Sequence, residues 1–315
     1  MSSSPVAIEP QATALAHHPA RWWLATRPAF LSITLAGVVL GMAGSGWTAL
    51  RQHWPLAVLG LLLALLTHAA VNVINDVADH HNGTDAANTA RVFPFTGGSR
   101  FIQNGILSAT QMQHLAYGLF ALVIAGGLYL VSLRGLPLLL IGFSGVVLGW
   151  AYSAPPLRLN SRGLGELSVG VCFLLLPQGM AVLLSGNWLP SLLWASLPFA
   201  VLTSLLLYIN QFPDREADRL AGKWHWVVRL PLSQAKVGYG LLVLLAYGVL
   251  ATLLWRQYLP ATAALGLLTL PLSLFASGQL WRHATEPARL RPAIIATIMA
   301  ANLFPLLLAV ALLLA

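Results

Sequence analysis

Runs of about twenty apolar residues follow one another from residue 28 to the end of this chain, and few folds can accommodate them. Only 8% of the 315 residues are charged and 57% are hydrophobic, far outside the composition of a soluble domain. Alternating strand-like segments are missing, which argues against an outer-membrane barrel. The expected fold class is therefore an all-α polytopic membrane protein.

Nine segments can be drawn, at roughly 28–50, 54–76, 114–133, 136–153, 166–185, 190–212, 236–255, 260–281 and 292–314. An odd number puts the termini on opposite sides of the bilayer. With the N-terminus inside, 14 basic residues fall on the inner side, and only Arg51, Arg134 and Arg256 on the outer. Together these are all 17 Lys and Arg, and the bias is what the positive-inside rule requires. Topology accounts for the net charge of +8, so no nucleic-acid partner is implied. The chain is expected to be integral to the inner, cytoplasmic membrane, with membrane lipid as its surroundings. Residues 1–24 have no basic start followed by an apolar core, so they are expected as a disordered cytoplasmic lead-in, and 25–315 as one membrane domain. Cys172 is the single cysteine and is expected as a small apolar filler. His68, inside the second segment, is expected as a satisfied polar residue.

The carboxylates are placed unevenly. Seven of the nine (Asp76, Asp79, Asp85, Glu166, Asp214, Glu216 and Asp218) lie at or beside the loops after segments two, four and six, all on the inner side. Asn72, Asp76 and Asp79 share one helical face by their spacing, and so do Asn210, Asp214 and Asp218. The repetition suggests a duplicated unit of about four helices. Acids gathered at helix ends would repel one another if bare. A hard divalent cation resolves that, and oxygen ligands alone suit Mg²⁺ with phosphate oxygens completing its shell. Arg91, Arg100, Arg158, Arg162, Arg215, Arg219 and Lys223 are interleaved with the acids, as a diphosphate requires. No GxxxxGK[ST] loop is present, so a P-loop nucleotide site is unsupported.

At these residues the sequence becomes recognisable. NDVADHHNGTD (75–85) and NQFPDREADRLAGK (210–223) resemble the two aspartate-rich motifs of the UbiA-type membrane prenyltransferase superfamily. Between them, AYSAPPLRLNSRGLGE (151–166) resembles that superfamily's loop of Tyr, a Pro pair and Gly-Leu-Gly-Glu. The resemblance implies a helical fold around a central cavity capped on the cytoplasmic side. It implies a polyprenyl diphosphate held through Mg²⁺ and an acceptor, often aromatic, that receives the prenyl group. It places Asn72, Asp76 and Asp79 at a first metal site and Asp214 and Asp218 at a second. Lys223 is placed on the diphosphate, Tyr152 matches the loop tyrosine, and Arg158 occupies a position that is often basic.

Gly83 followed by Asp85, FTGGSRFIQNGILS (95–108) and GKWHWVVRL (222–230) look more like the menaquinone branch, which prenylates 1,4-dihydroxy-2-naphthoate. Trp224 and Trp226 depart from that branch. The expected reaction ionises the allylic diphosphate and captures the cation with an electron-rich ring. Tyr152 is the first candidate for an aromatic face beside the cation, and Tyr208 the second. Asp85 and Glu166 are candidate bases, and Arg100 or Arg158 a partner for the acceptor's carboxylate. Prenylation of 4-hydroxybenzoate or another acceptor is the alternative within the superfamily. A secondary transporter is the alternative from another class, although transporter sites usually lie nearer the bilayer midplane.

Overall fold

The structure, a computed structural model, describes residues 8–315. Nine helices long and apolar enough to cross a membrane are present among these residues. They are α1 (Ser32–Ser45, entered through a 3-10 turn at Pro28–Leu31), α2 (Trp54–His81), α3 (Ala109–Arg134), α4 (Leu136–Ser153), α5 (Gly165–Ser185), α6 (Pro190–Leu220), α7 (Leu232–Trp255), α8 (Leu270–His283, after a 3-10 stretch at Ala261–Thr269) and α9 (Arg291–Leu313). Their outer faces carry Leu62, Leu122, Leu140, Leu244 and Phe275, all exposed. An apolar belt of this kind is a liability in water and the ordinary state in lipid.

The helix ends follow local chemistry that hydropathy does not register. α3 starts five residues before its apolar run because Ser108 and Gln111 form a capping box. Gln111 N–H donates to Ser108 Oγ at 3.1 Å, and Ser108 N–H to Gln111 Oε1 at 2.9 Å. α2 and α6 run on past the expected 76 and 212, to His81 and Leu220, so both aspartate sets ride on continuous helix. α2 then stops where Gly83 takes a left-handed φ of +83°.

Lipid tails are as apolar as leucine, so helix association here draws on close packing and interhelical hydrogen bonds. The main buried cluster runs through α6, α7, α8, α9 and part of α1, around Leu202, Leu205, Tyr239 and Phe304. Polar ties cross it. Tyr239 Oη and Thr297 Oγ1 are 2.6 Å apart, and Tyr247 Oη lies 2.9 Å from both Thr269 Oγ1 and Ser273 Oγ. Gly41 lets α1 close on α5, since a Cβ there would sit 2.6 Å from the carbonyl oxygen of Pro177. The other side of the cavity is walled by α2, α3 and α4.

The loops 82–108, 154–164 and 221–231 meet at one end of the bundle. Trp224 N–H donates to Ser161 O at 2.9 Å, Trp226 Nε1–H to Gly163 O at 2.8 Å, and Asn88 Nδ2 to Asp214 Oδ1 at 2.6 Å. Residues 9–24 differ from the loose lead-in expected of them; residues 1–7 lie outside the described part. Two single-turn helices, Ala12–Leu15 and Arg21–Leu24, lie there. Glu9 pairs with Arg91 at 2.6 Å, and Asn104 Nδ2 donates to Pro10 O at 2.8 Å, tying this segment to the cap.

Candidate active site

α1 to α6, with Ile298 and Asn302 of α9, surround a cavity of about 780 Å³. Most of its wall is aliphatic, with Val38, Leu63, Leu138, Leu175 and Leu176 among the lining residues. Its polar residues gather beneath the cap, where α2 supplies Asn72, Asn75 and Asp79, and α6 supplies Asn210, Asp214 and Asp218. The spacing of three and four residues turns both sets inward.

Lys223 joins the two sets. Its ammonium lies 2.6 Å from Asp79 Oδ1 and 3.3 Å from Asp218 Oδ1. Burial alone would push this lysine down, but the Asp218 and Asp79 carboxylates outweigh that and hold it above the ordinary lysine range. His225 Nε2 donates to the other oxygen of Asp218 at 3.0 Å. Asn75 Nδ2 donates to Asp79 Oδ2 at 3.2 Å and Asn82 Nδ2 to Asp79 Oδ1 at 3.3 Å. Asp76 stands behind the lining and is buried. Its Oδ2 accepts from Ser99 N–H at 3.0 Å, while Oδ1 faces Arg27 at 4.0 Å with no hydrogen bond to it.

Among the described residues, no three acidic, histidine or cysteine side chains converge closely enough to hold one ion. Lys223 occupies the space between Asp79 and Asp218 and offsets one of their two negative charges. The donor set still suits a hard cation. Asp76 Oδ1, Asn88 Oδ1 and Asn210 Oδ1 are buried oxygens without a hydrogen-bond partner, and Mg²⁺ usually takes only one or two protein carboxylates.

Asp85 lines the cavity from the short helix Thr84–Ala87 and is 1% exposed. Burial, reinforced by the charges of Asp79 and Asp76, pushes its carboxyl up to about 9. Gln103 Nε2 donates to its Oδ2 at 3.3 Å. Gly98, with φ +74°, passes so close that a Cβ would come within 2.6 Å of that oxygen. Tyr152 lines the cavity from the last turn of α4.

Several expected site residues stand elsewhere. Tyr208 is buried against α7, where its hydroxyl donates to Ala235 O at 3.0 Å, and it does not line the cavity. Six residues separate it from Asp214, which turns it about 120° away from that face. Glu166, in the first turn of α5, lies outside the lining and accepts from Gln211 Nε2 at 2.8 Å. Arg158 is exposed in a shallow depression over the cap, together with Arg162 and Arg229. Arg91 donates to Glu9 and to Asn88 O, and Arg100 donates to the Asp85 carbonyl at 2.5 Å. Neither guanidinium lines the cavity.

The guanidinium that does line it is Arg27, which sequence reading placed among ordinary inner-side charges. It donates to Phe95 O at 3.3 Å, and its Nε is buried without a partner. His225 was also missed, although its position two residues after Lys223 was a usable signal.

Residues 30–299 match the UbiA prenyltransferase family. The chain is 29% identical to the 1,4-dihydroxy-2-naphthoate octaprenyltransferase of Haemophilus influenzae over 289 residues, 86% of this chain and 88% of the relative. It is 30% identical to the enzyme of that name from Mycobacterium tuberculosis over 266 residues, 82% and 85% of the two chains. Its fold is similar to the solved structure of a UbiA homologue from Archaeoglobus fulgidus bound to DMAPP and Mg²⁺. The TM-score is 0.67 at 19% identity, covering 93% of this chain and 99% of that one. A transporter is thereby set aside: the chain belongs to the UbiA prenyltransferase family and is a multi-pass membrane prenyltransferase.

Proposed function

We propose that this protein transfers a polyprenyl group from its diphosphate to 1,4-dihydroxy-2-naphthoate. The observation that carries the donor half is Lys223 bridging Asp79 and Asp218 at the head of a largely aliphatic cavity. Such a cavity takes an apolar chain below and an anion above. The acceptor half rests on relatives named for that naphthoate and on the motif detail at Gly83, Asp85 and residues 95–108.

Asn72, Asp76 and Asp79 on α2, with Asp214 and Asp218 on α6, would hold Mg²⁺. Once bound, that ion supplies positive charge to the departing diphosphate. Lys223 donates to the diphosphate oxygens and holds the two motifs in register. The aliphatic wall excludes water from the allylic cation, and the Tyr152 ring offers it a face. Arg27 is placed to pair with an anionic group inside the cavity, such as the acceptor's carboxylate. The allylic C–O bond breaks with its electron pair leaving on the diphosphate. The ring carbon bearing the carboxylate then forms the new C–C bond and releases CO₂. Burial and the nearby acids favour the protonated form of Asp85 in the metal-free protein, which suits it to begin as an acid. The basic bias of the inner loops supports a cytoplasmic position for the capped end.

The test is turnover by purified protein in detergent with Mg²⁺ and a long polyprenyl diphosphate, offered the naphthoate and 4-hydroxybenzoate in parallel. A prenylated naphthol with CO₂ release is expected. Prenylated hydroxybenzoate instead would keep the chemistry and overturn the acceptor.

A further inference from the structure

One polar side chain in the cavity lies well below the charged head and has no part in the chemistry above. His68 projects from the middle of α2, on the same face as Asn72 and about 6 Å, one helical turn, further from the cap. Its Nδ1 is 2.7 Å from Thr34 Oγ1 on α1. Phe173 of α5 meets the imidazole edge-on, at 6.0 Å between ring centroids and 80° between planes, and Phe199 meets Phe173 in turn at 5.8 Å and 89°. A hydroxyl on one side and an aromatic stack on the other hold the ring in one orientation. Nε2 has no hydrogen-bond partner, and the side chain lines the cavity. Sequence reading expected a satisfied polar residue, and only half of the ring is satisfied.

A prenyl tail offers no polar atom, so a tail packed here would leave Nε2 without a hydrogen bond in a site shielded from water. A hydroxylated aromatic ring supplies that bond. We propose that His68, oriented by Thr34, is a specificity-determining residue that receives a ring hydroxyl of the acceptor. This rests on the reading of the acceptor as a dihydroxynaphthoate. The carboxylate-bearing edge of the ring then faces the charged head near Arg27, and the hydroxyl remote from the carboxylate points down the cavity. The site would thus tell a dihydroxy ring from a monohydroxy one by a single hydrogen bond.

The experiment compares wild type, His68→Leu, His68→Gln and Thr34→Val with full-length protein in detergent. KM is measured for 1,4-dihydroxy-2-naphthoate and for the prenyl diphosphate, with 1-hydroxy-2-naphthoate titrated as a competitor. In His68→Leu, the KM for the dihydroxy acceptor should rise about tenfold, as one hydrogen bond allows, while the donor KM stays within twofold. The monohydroxy competitor should bind wild type and His68→Leu alike. His68→Gln should recover most of the loss, and Thr34→Val should show part of it. A donor KM that moves while the acceptor KM does not would make His68 a tail contact and overturn the proposal. Equal losses for the dihydroxy and monohydroxy rings would overturn it as well. If His68→Leu does not fold, Thr34→Val decides, and an unchanged acceptor KM there overturns the proposal. A wild type that prenylates no naphthoate overturns the reading of the acceptor instead.

Discussion

Lys223 and Asp79 meet at 2.6 Å, although one follows the sixth transmembrane helix and the other ends the second. Asp218 stands 3.3 Å from the same ammonium. One lysine thereby bridges a carboxylate from each motif, and the acidic clusters become a single polar head over an apolar cavity.

Lys223→Met removes the cation that bridges those carboxylates and a donor to the diphosphate. It should lower kcat/KM for the prenyl diphosphate by about 10²–10³. Lys223→Arg should recover little of this, since a planar guanidinium cannot occupy the same point between two carboxylates. Steady-state kinetics with the donor as varied substrate checks both.

Asn88 donates to Asp214 at 2.6 Å and orients that carboxylate. Asn88→Ala should raise the Mg²⁺ concentration for half-maximal activity by about 10–100-fold, the usual cost of losing a partner behind a metal ligand. Activity titrated against Mg²⁺ would show it, and saturating Mg²⁺ should restore most of the rate.

Asp85 is held far above its unfolded value, so between about pH 4 and about pH 9 the folded protein keeps a proton that the unfolded chain has lost. This contribution to stability is fully present at the acid end and disappears as pH rises. Asp85→Asn should therefore raise the Tm of the metal-free protein at pH 8 by about 3 °C or more and change it less at pH 5. Thermal melts at the two pH values give the comparison, and equal shifts would contradict the burial argument.

Tyr208→Phe removes only the hydroxyl that donates to Ala235 O. It should cost about 1 kcal/mol of stability and leave kcat/KM within twofold of wild type. A large loss of activity would return Tyr208 to the reaction.

The nine spans were legible because hydrocarbon thickness sets their length. The aspartate faces were legible in part: a period of 3.6 residues continues past the point where hydropathy fails, as α2 to His81 and α6 to Leu220 demonstrate, but Asp76, expected on one face with Asn72 and Asp79, stands behind the cavity lining. What sequence could not give were the contacts made only by folding. Arg27 reads as one more inner-side charge until α1 and α2 bring it beside Asp76. Ser99 supplies a backbone N–H to Asp76, a role that side-chain identity does not announce. Arg100 and Glu166 lie near motifs in the sequence, yet they turn to Asp85 O and Gln211, because proximity along the chain says little about direction. Tyr208 failed for a simpler reason: its spacing from Asp214 does not match the helical period.

The most direct test of the central claim is binding of an uncleavable prenyl thiodiphosphate to the purified protein, with and without Mg²⁺, in wild type, Asp79→Asn and Asp218→Asn. If α2 and α6 together hold one Mg²⁺–diphosphate, binding will require Mg²⁺ and will weaken at least tenfold in each variant alone. Binding that is indifferent to Mg²⁺, or that survives unchanged in either variant, would contradict the joining of the two motifs into one site.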